Sequence, residues 1–342
     1  MTERLADYDY HLPSDRIAQV PLADRGASRL LVLDREDGAV RHRQFADLAD
    51  LLRPGDLLVR NNTRVTAMRL FGKKPSGGAV ETLLLRPSTD PGGFIALVRP
   101  GRRLPPGARI EFAPGLGATV GEVYPDGQRE LVFDRPYEGL VARLHDQATA
   151  PLPPYIHEPL LDRERYQTVY ARHGGSAAAP TAGLHFTTEG LAHLTERGVQ
   201  FAEVTLHVGL DTFRPVTHET TDDHVMHGET CAVPAETAAA VAACRGRIIA
   251  VGTTSARTLE SMATGHRQLA VGATETRIFI TPGYRWQVVD GLLTNFHMPR
   301  TTMLLMVAAL CGRGPLMQAY HSAIEEGYRF LSFGDAMMIN PK

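Results

Sequence analysis

Two histidines stand where a ligand could meet them. His185 lies in the loop 180–186 among small residues, and His297 directly follows the apolar run 292–296. Imidazole titrates near neutrality, so such a pair suits proton transfer to and from a bound substrate. Asp335, after the run 329–333, adds a carboxylate able to orient an imidazole or hold a hydroxyl; Asn295 and Arg300 flank His297. His207, inside the β-type run 201–210, reads as a packing histidine. A second device is Gly252-Thr253-Thr254-Ser255, which follows the apolar run 247–251 and precedes a helix from Ala256. A strand, a small polar loop and a helix N-terminus can hold an anion on backbone N–H groups. The same residues also suit a plain helix cap. No Gly-Lys-Ser/Thr follows and no Gly-x-Gly-x-x-Gly occurs, so neither a P-loop nor a dinucleotide fingerprint is present. His218, His224, His227 and Glu229 match no zinc spacing, and no metal is expected.

The elements that must carry these residues alternate between strand and helix at both ends of the chain. Strands are expected at 29–34, 56–59, 201–210, 247–251, 278–280, 286–289, 292–296 and 329–333. Helices are expected at 45–52, from Thr187 or Thr188, from Ala256, before Gly312 and at 316–326. Between Val65 and Ala148 the pattern changes to short β-type runs at 68–71, 80–85, 94–98, 109–112, 119–123 and 130–133, separated by Gly, Pro and Asp turns. That spacing is the signature of a small all-β barrel or sandwich. The expected fold is therefore α/β, with one discontinuous domain (1–60 plus 151–342) interrupted by an inserted β-barrel domain (61–150).

With 43% apolar and 22% charged residues, the 342-residue chain has a globular composition and length for about two domains. Three scattered cysteines suggest neither a disulfide framework nor a zinc site, as in a reducing compartment. The charged opening MTERLADYDY has no apolar core of a signal peptide, and the longest apolar run, 303–310, is far short of the ~20 residues of a membrane span. A cytoplasmic location is expected. The net charge of −2 hides a polarity: residues 60–109 carry ten basic groups against Glu81 and Asp90, and the remainder carries 26 basic and 36 acidic groups. A cationic module on an acidic body can grip a polyanion locally, or can be a solvated face.

The motifs in order carry a resemblance. YQTVYAR (166–172), APTAGLHFT (179–187), LHVGLDTFRPV (206–216), VMHGE (225–229), AVGTTSARTLES (250–261), DGLLTNFHMP (290–299) and GYRFLSFGDAM (327–337) together resemble the S-adenosylmethionine:tRNA ribosyltransferase-isomerases of bacterial queuosine synthesis. The likeness runs from Tyr8 to Ile339. It implies a barrel-like α/β domain with an inserted β-barrel. The implied reaction moves the ribosyl part of S-adenosylmethionine onto the amine of 7-aminomethyl-7-deazaguanine at the tRNA wobble position. It isomerises the ribosyl group to an epoxycyclopentanediol and releases adenine and methionine. S-adenosylmethionine is then a consumed cosubstrate and no other cofactor is expected. The implied partner is tRNA with a GUN anticodon, and a monomer is expected.

Such chemistry needs a base for the carbon beside the sulfonium, an acid for the departing adenine and a neutral amine nucleophile. His185, His297 and Asp335 are the catalytic candidates. Thr181, Gly183, Thr253, Thr254, Ser255, Arg257, Asn295, Phe296 and Arg300 are candidates for substrate binding, and Arg60, Arg64, Arg69, Lys73, Lys74, Arg102 and Arg103 for RNA. The chain departs from the family pattern at Asp211 (usually Gly), at Ala79 (usually Lys) and at Thr230 and Cys231, where an aromatic is common. Two other readings stay open: an S-adenosylmethionine-dependent RNA methyltransferase, and a non-catalytic tRNA-binding protein. The first would want a glycine-rich first strand–loop, which is absent.

Overall fold

The computed structural model describes residues 3–124, 127–134, 137–209, 219–222, 224, 226 and 228–341. Strands β1 (Arg29–Asp34) and β2 (Val40–Gln44) form an antiparallel pair, and helix α1 (Leu48–Leu51) leads to β3 (Leu57–Asn61) and the short β4 (Thr63–Val65). Six strands follow: β5 (Met68–Lys73), β6 (Ala79–Pro87), β7 (Gly93–Arg99), β8 (Arg109–Ala113), β9 (Leu116–Val123) and β10 (Arg129–Phe133). Helix α2 (Tyr137–Gln147) comes next, and β11 (His173–Ser176) returns the chain. The remainder runs α3 (Thr188–Glu196), β12 (Gln200–Leu206), β13 (Glu229–Val233), α4 (Ala235–Ala243), β14 (Ile248–Val251) and α5 (Thr253–Ser261). The small pair β15 (Ala263–Gly265) and β16 (Gln268–Leu269) precedes β17 (Gly272–Thr276) and β18 (Gly291–Asn295). Helices α6 (Thr302–Cys311) and α7 (Arg313–Glu325) lead to β19 (Ala336–Asn340).

Nine strands form one mixed sheet in the order β17-β13-β12-β3-β14-β18-β19-β1-β2. Strands β12, β3, β14 and β18 are mutually parallel, while β19 runs antiparallel to β18. The strand period of two explains why both faces are apolar. Leu31 and Leu33 of β1 join the core under α6 and α7, and Leu30 and Val32 join the core under Phe45, Leu48 and Leu194. Strands β5 to β10 close into an antiparallel barrel in the order β10-β7-β6-β5-β8-β9. Its interior residues, such as Leu70, Leu84, Ile110 and Leu131, pack with Leu140 and Leu144 of α2. The two ends of the barrel segment meet at a backbone bridge between Arg69 and Thr149, and the flanking strands β4 and β11 pair with each other in parallel. An α/β body with an inserted all-β barrel is thus what the sequence pattern called for.

Three expectations are corrected. Residues 278–280 and 286–289 are not strands. The amides of Gln287, Val288 and Val289 all donate to the Glu260 carboxylate, at 2.9, 3.0 and 2.9 Å, so they are not free for a sheet. Residues 329–333 form a turn with a single bridge, Ile17 to Phe330, and the closing strand is β19 instead. Asp335 therefore enters a strand rather than leaving one. Because β19 is antiparallel to β18, with Asn295 opposite Ala336, Asp335 still lies at the same sheet edge as Asn295.

Candidate active site

The cleft opens at the edge where β3, β14 and β18 end. Thr181, Thr253, Thr254, Asn295, Phe296 and His297 all line it, beside Tyr155, Met298, Met303 and Ser332. Among the described residues, none that lines it is Asp, Glu, Lys or Arg. An uncharged wall leaves a bound cation's field unscreened by a fixed counter-charge and raises the worth of each hydrogen bond.

The anion end is built by α5. Gly252 precedes that helix with φ 86° and ψ 153°, and no side chain caps the helix. The Gly252 N–H donates to Leu293 O at 2.7 Å, fixing the turn to β18 and setting the first amides of α5 in the cleft wall. The Thr254 hydroxyl accepts from Asn61 Nδ2 at 3.3 Å, which leaves its own proton for a ligand. Asn61 is wholly buried at the end of β3; its Oδ1 also accepts from the amides of Thr63 and Leu206, both at 3.1 Å. Asn61 is not among the residues singled out from the sequence. The signal was two consecutive asparagines directly after an apolar strand.

His297 is held by its backbone and its ring. Its N–H donates to Tyr320 Oη at 3.0 Å, its carbonyl accepts from Tyr10 Oη, and Nε2 lies 2.9 Å from Thr294 Oγ1. Nδ1 is engaged by none of the described residues. Burial lowers its pKa from 6.5 to about 4, so the ring is neutral at pH 7.

The remaining candidates lie outside the cleft wall. His185 is buried behind Asn295, with Nε2 3.2 Å from Asn295 Nδ2 and Nδ1 2.9 Å from Ser28 Oγ. Burial, with help from Arg25 and Arg329, holds its pKa down to about 3. The Asp335 carboxylate accepts from the amides of Arg29 at 2.9 Å and Arg329 at 2.8 Å, and burial raises its pKa. The Ser255 hydroxyl donates to Val251 O at 2.7 Å within the helix start. Arg257 is buried against Glu229, whose other oxygen accepts from the Gly209 amide at 3.0 Å. Gly183 packs against Tyr170, where a Cβ would fall 2.1 Å from the hydroxyl. Arg300 has φ 58° and its N–H donates to Tyr8 O at 3.1 Å.

The basic candidates divide in two. Arg60 pairs with Glu203 at 2.8 Å and lies over the Tyr170 ring at 4.3 Å. Arg64 pairs with Glu164, and Arg69 pairs with Glu81 at 3.3 Å and donates to Leu152 O at 2.8 Å. Lys73, Arg102 and Arg103 are exposed on the barrel and have no ion pair among the described residues; Lys74 is half-buried. Of the departures, Ala79 sits exposed opposite Lys73, Cys231 is buried in β13, and Asp211 lies outside the described residues, as do His218 and His227. No group of three or more His, Cys, Asp or Glu among the described residues could hold a metal.

Fold and site together define an α/β protein with a cleft at one sheet edge, uncharged among the described residues, and an all-β insert. The chain belongs to the queuosine biosynthesis protein family, whose model matches residues 5–339. It is 52% identical, over 98% of its length and 99% of the relative's, to an S-adenosylmethionine:tRNA ribosyltransferase-isomerase of Symbiobacterium thermophilum. It is 50% identical, with the same coverage, to the protein so named in Moorella thermoacetica. Among solved structures it is similar to S-adenosylmethionine tRNA ribosyltransferase from Thermotoga maritima (36% identity, TM-score 0.55, covering 97% of this chain and 99% of that one).

Proposed function

We propose that this chain is an S-adenosylmethionine:tRNA ribosyltransferase-isomerase. It transfers and isomerises the ribosyl group of S-adenosylmethionine onto 7-aminomethyl-7-deazaguanine at the wobble position of tRNA with a GUN anticodon, and releases adenine and methionine. The observation that carries the cleft assignment is its pairing of an uncapped helix N-terminus with a neutral, half-engaged imidazole in a wall without charges among the described residues. The α5 amides and the Thr254 hydroxyl take the methionine carboxylate. Its sulfonium then lies among Met298, Met303 and uncharged polar groups, where its own charge acidifies the adjacent carbon. The free Nδ1 of His297 is the proton acceptor, since a neutral imidazole has a lone pair to offer and does not repel the cation. Lys73, Arg102 and Arg103 on the 61–150 insert contact tRNA phosphates. The protein acts as a cytoplasmic monomer, and its cosubstrate is its only small-molecule requirement.

The test is incubation of the purified chain with S-adenosylmethionine and an anticodon hairpin carrying the aminomethyl base. Free adenine and methionine should appear one-for-one with modified RNA. Methyl transfer into the RNA without adenine release, or binding without turnover, would overturn the proposal.

A further inference from the structure

Asn295 ends β18, lines the cleft and is 2% exposed. Its side-chain nitrogen faces the backbone carbonyls of Leu331 at 3.1 Å and Asp335 at 3.5 Å. Carbonyls accept only, so the carboxamide can face one way. The same nitrogen lies 3.2 Å from His185 Nε2. An amide nitrogen offers protons and nothing else, so Nε2 must carry the lone pair. The far side of the ring gives the same answer independently. Ser28 Oγ donates its proton to Arg25 O at 3.1 Å, which leaves its lone pairs to accept from His185 Nδ1–H at 2.9 Å. His185 is thus the neutral Nδ1–H tautomer, stacked on Phe45 with ring centres 5.1 Å apart. Neither of its nitrogens is spare for a substrate. What remains unanswered is Asn295 Oδ1, buried and without a partner among the described residues. Buried acceptors are almost always satisfied, so a lone one beside a ligand cleft marks where a donor belongs.

We propose that Asn295 Oδ1 accepts a hydrogen bond from the nucleoside part of the cosubstrate, and that His185 is the positioning residue that aims it rather than a proton carrier. This rests on the cleft being the S-adenosylmethionine site. The donor is the adenine amine or a ribose hydroxyl.

Full-length H185A, H185Q and N295A chains are compared with the unsubstituted chain by calorimetry with S-adenosylmethionine and by steady-state kinetics. N295A and H185A should each weaken S-adenosylmethionine binding about tenfold, the worth of one hydrogen bond, with H185A acting on KM. H185Q places Oε1 where Nε2 stood and should recover binding to within about threefold, with the acid limb of the kcat/KM profile unmoved. Competition by 5′-methylthioadenosine and 5′-methylthioinosine separates the donors: N295A loses the discrimination between them if the amine is the donor, and weakens both equally if a hydroxyl is. If H185A and H185Q both lose a hundredfold in kcat with binding intact, His185 carries a proton and the proposal fails. Unchanged binding in N295A also overturns it. The ¹⁵N shifts of His185 report the tautomer without ligand, and the reverse tautomer removes the positioning role alone. An unsubstituted chain that binds no S-adenosylmethionine removes the cleft reading, and the ligand proposed here with it.

Discussion

Replacing Gly252 by alanine tests whether the backbone before α5 is held in a conformation closed to L-residues. At φ 86° and ψ 153° it occupies a region essentially reserved for glycine, costing another residue about 1–3 kcal/mol. Crowding does not add to this, because the nearest atoms to a new Cβ, Ala182 Cβ and Thr254 Oγ1, are 3.6 Å away. Relaxing φ would break the 2.7 Å bond from the Gly252 amide to Leu293 O and drag the first amides of α5. The G252A chain should therefore lose about 1–3 kcal/mol in urea unfolding and bind S-adenosylmethionine more weakly in calorimetry. Gly314, the second residue of α7, is the control: no positive φ binds it and a Cβ there meets nothing within 4 Å. G314A should change stability by less than about 1 kcal/mol, since the helix gain from losing a glycine is offset by Pro315, which disfavours helical backbone in a preceding residue that bears a Cβ. A G252A chain as stable as G314A, with unaltered ligand binding, would refute the reasoning.

Three further outcomes are expected. The pKa values of His185 and His297 are held by burial at about 3 and about 4 in the fold, against 6.5 when exposed. Below pH 6.5 the unfolded chain therefore binds more protons, and stability falls with pH from 6.5 toward 4. The slope is on the order of 1 kcal/mol per pH unit for each ring; equal urea midpoints at pH 7 and pH 5 would contradict this. On the barrel, R102A and R103A should each reduce the slope of log affinity for the anticodon hairpin against log salt by about one. R60A should leave that slope in place and destabilise the fold instead, since Arg60 is spent on Glu203 and Tyr170.

The barrel was legible because its six short β-type runs are separated by Gly, Pro and Asp turns, so local pattern and tertiary role agree. The parallel strands β3, β14 and β18 were legible as apolar runs. The failures came from partners distant in sequence. Nothing local announces that Glu260 will collect three amides from 287–289, or that the methionine-rich β19 will insert between β18 and β1. Edge strands β2 and β17 escaped notice because their exposed residues, VRHRQ and GATET, show no apolar alternation. The site was half legible. Thr253, Thr254, Asn295 and His297 meet in one cleft, while His185 and Asp335 stand one bond behind Asn295. Residue type marked all of them as reactive, and only hydrogen-bond partners divide those lining the cleft from those bracing its wall.

The clasp of β4 and β11 bears on how such a molecule can change. This clasp and the Arg69–Thr149 bridge hold the two ends of the insert close, so the barrel closes a loop whose ends are already together. Lengthening, trimming or exchanging that lobe costs little closure entropy and leaves the strand order of the large sheet untouched. The surface of the barrel can therefore drift under selection while the cleft in the larger body stays still.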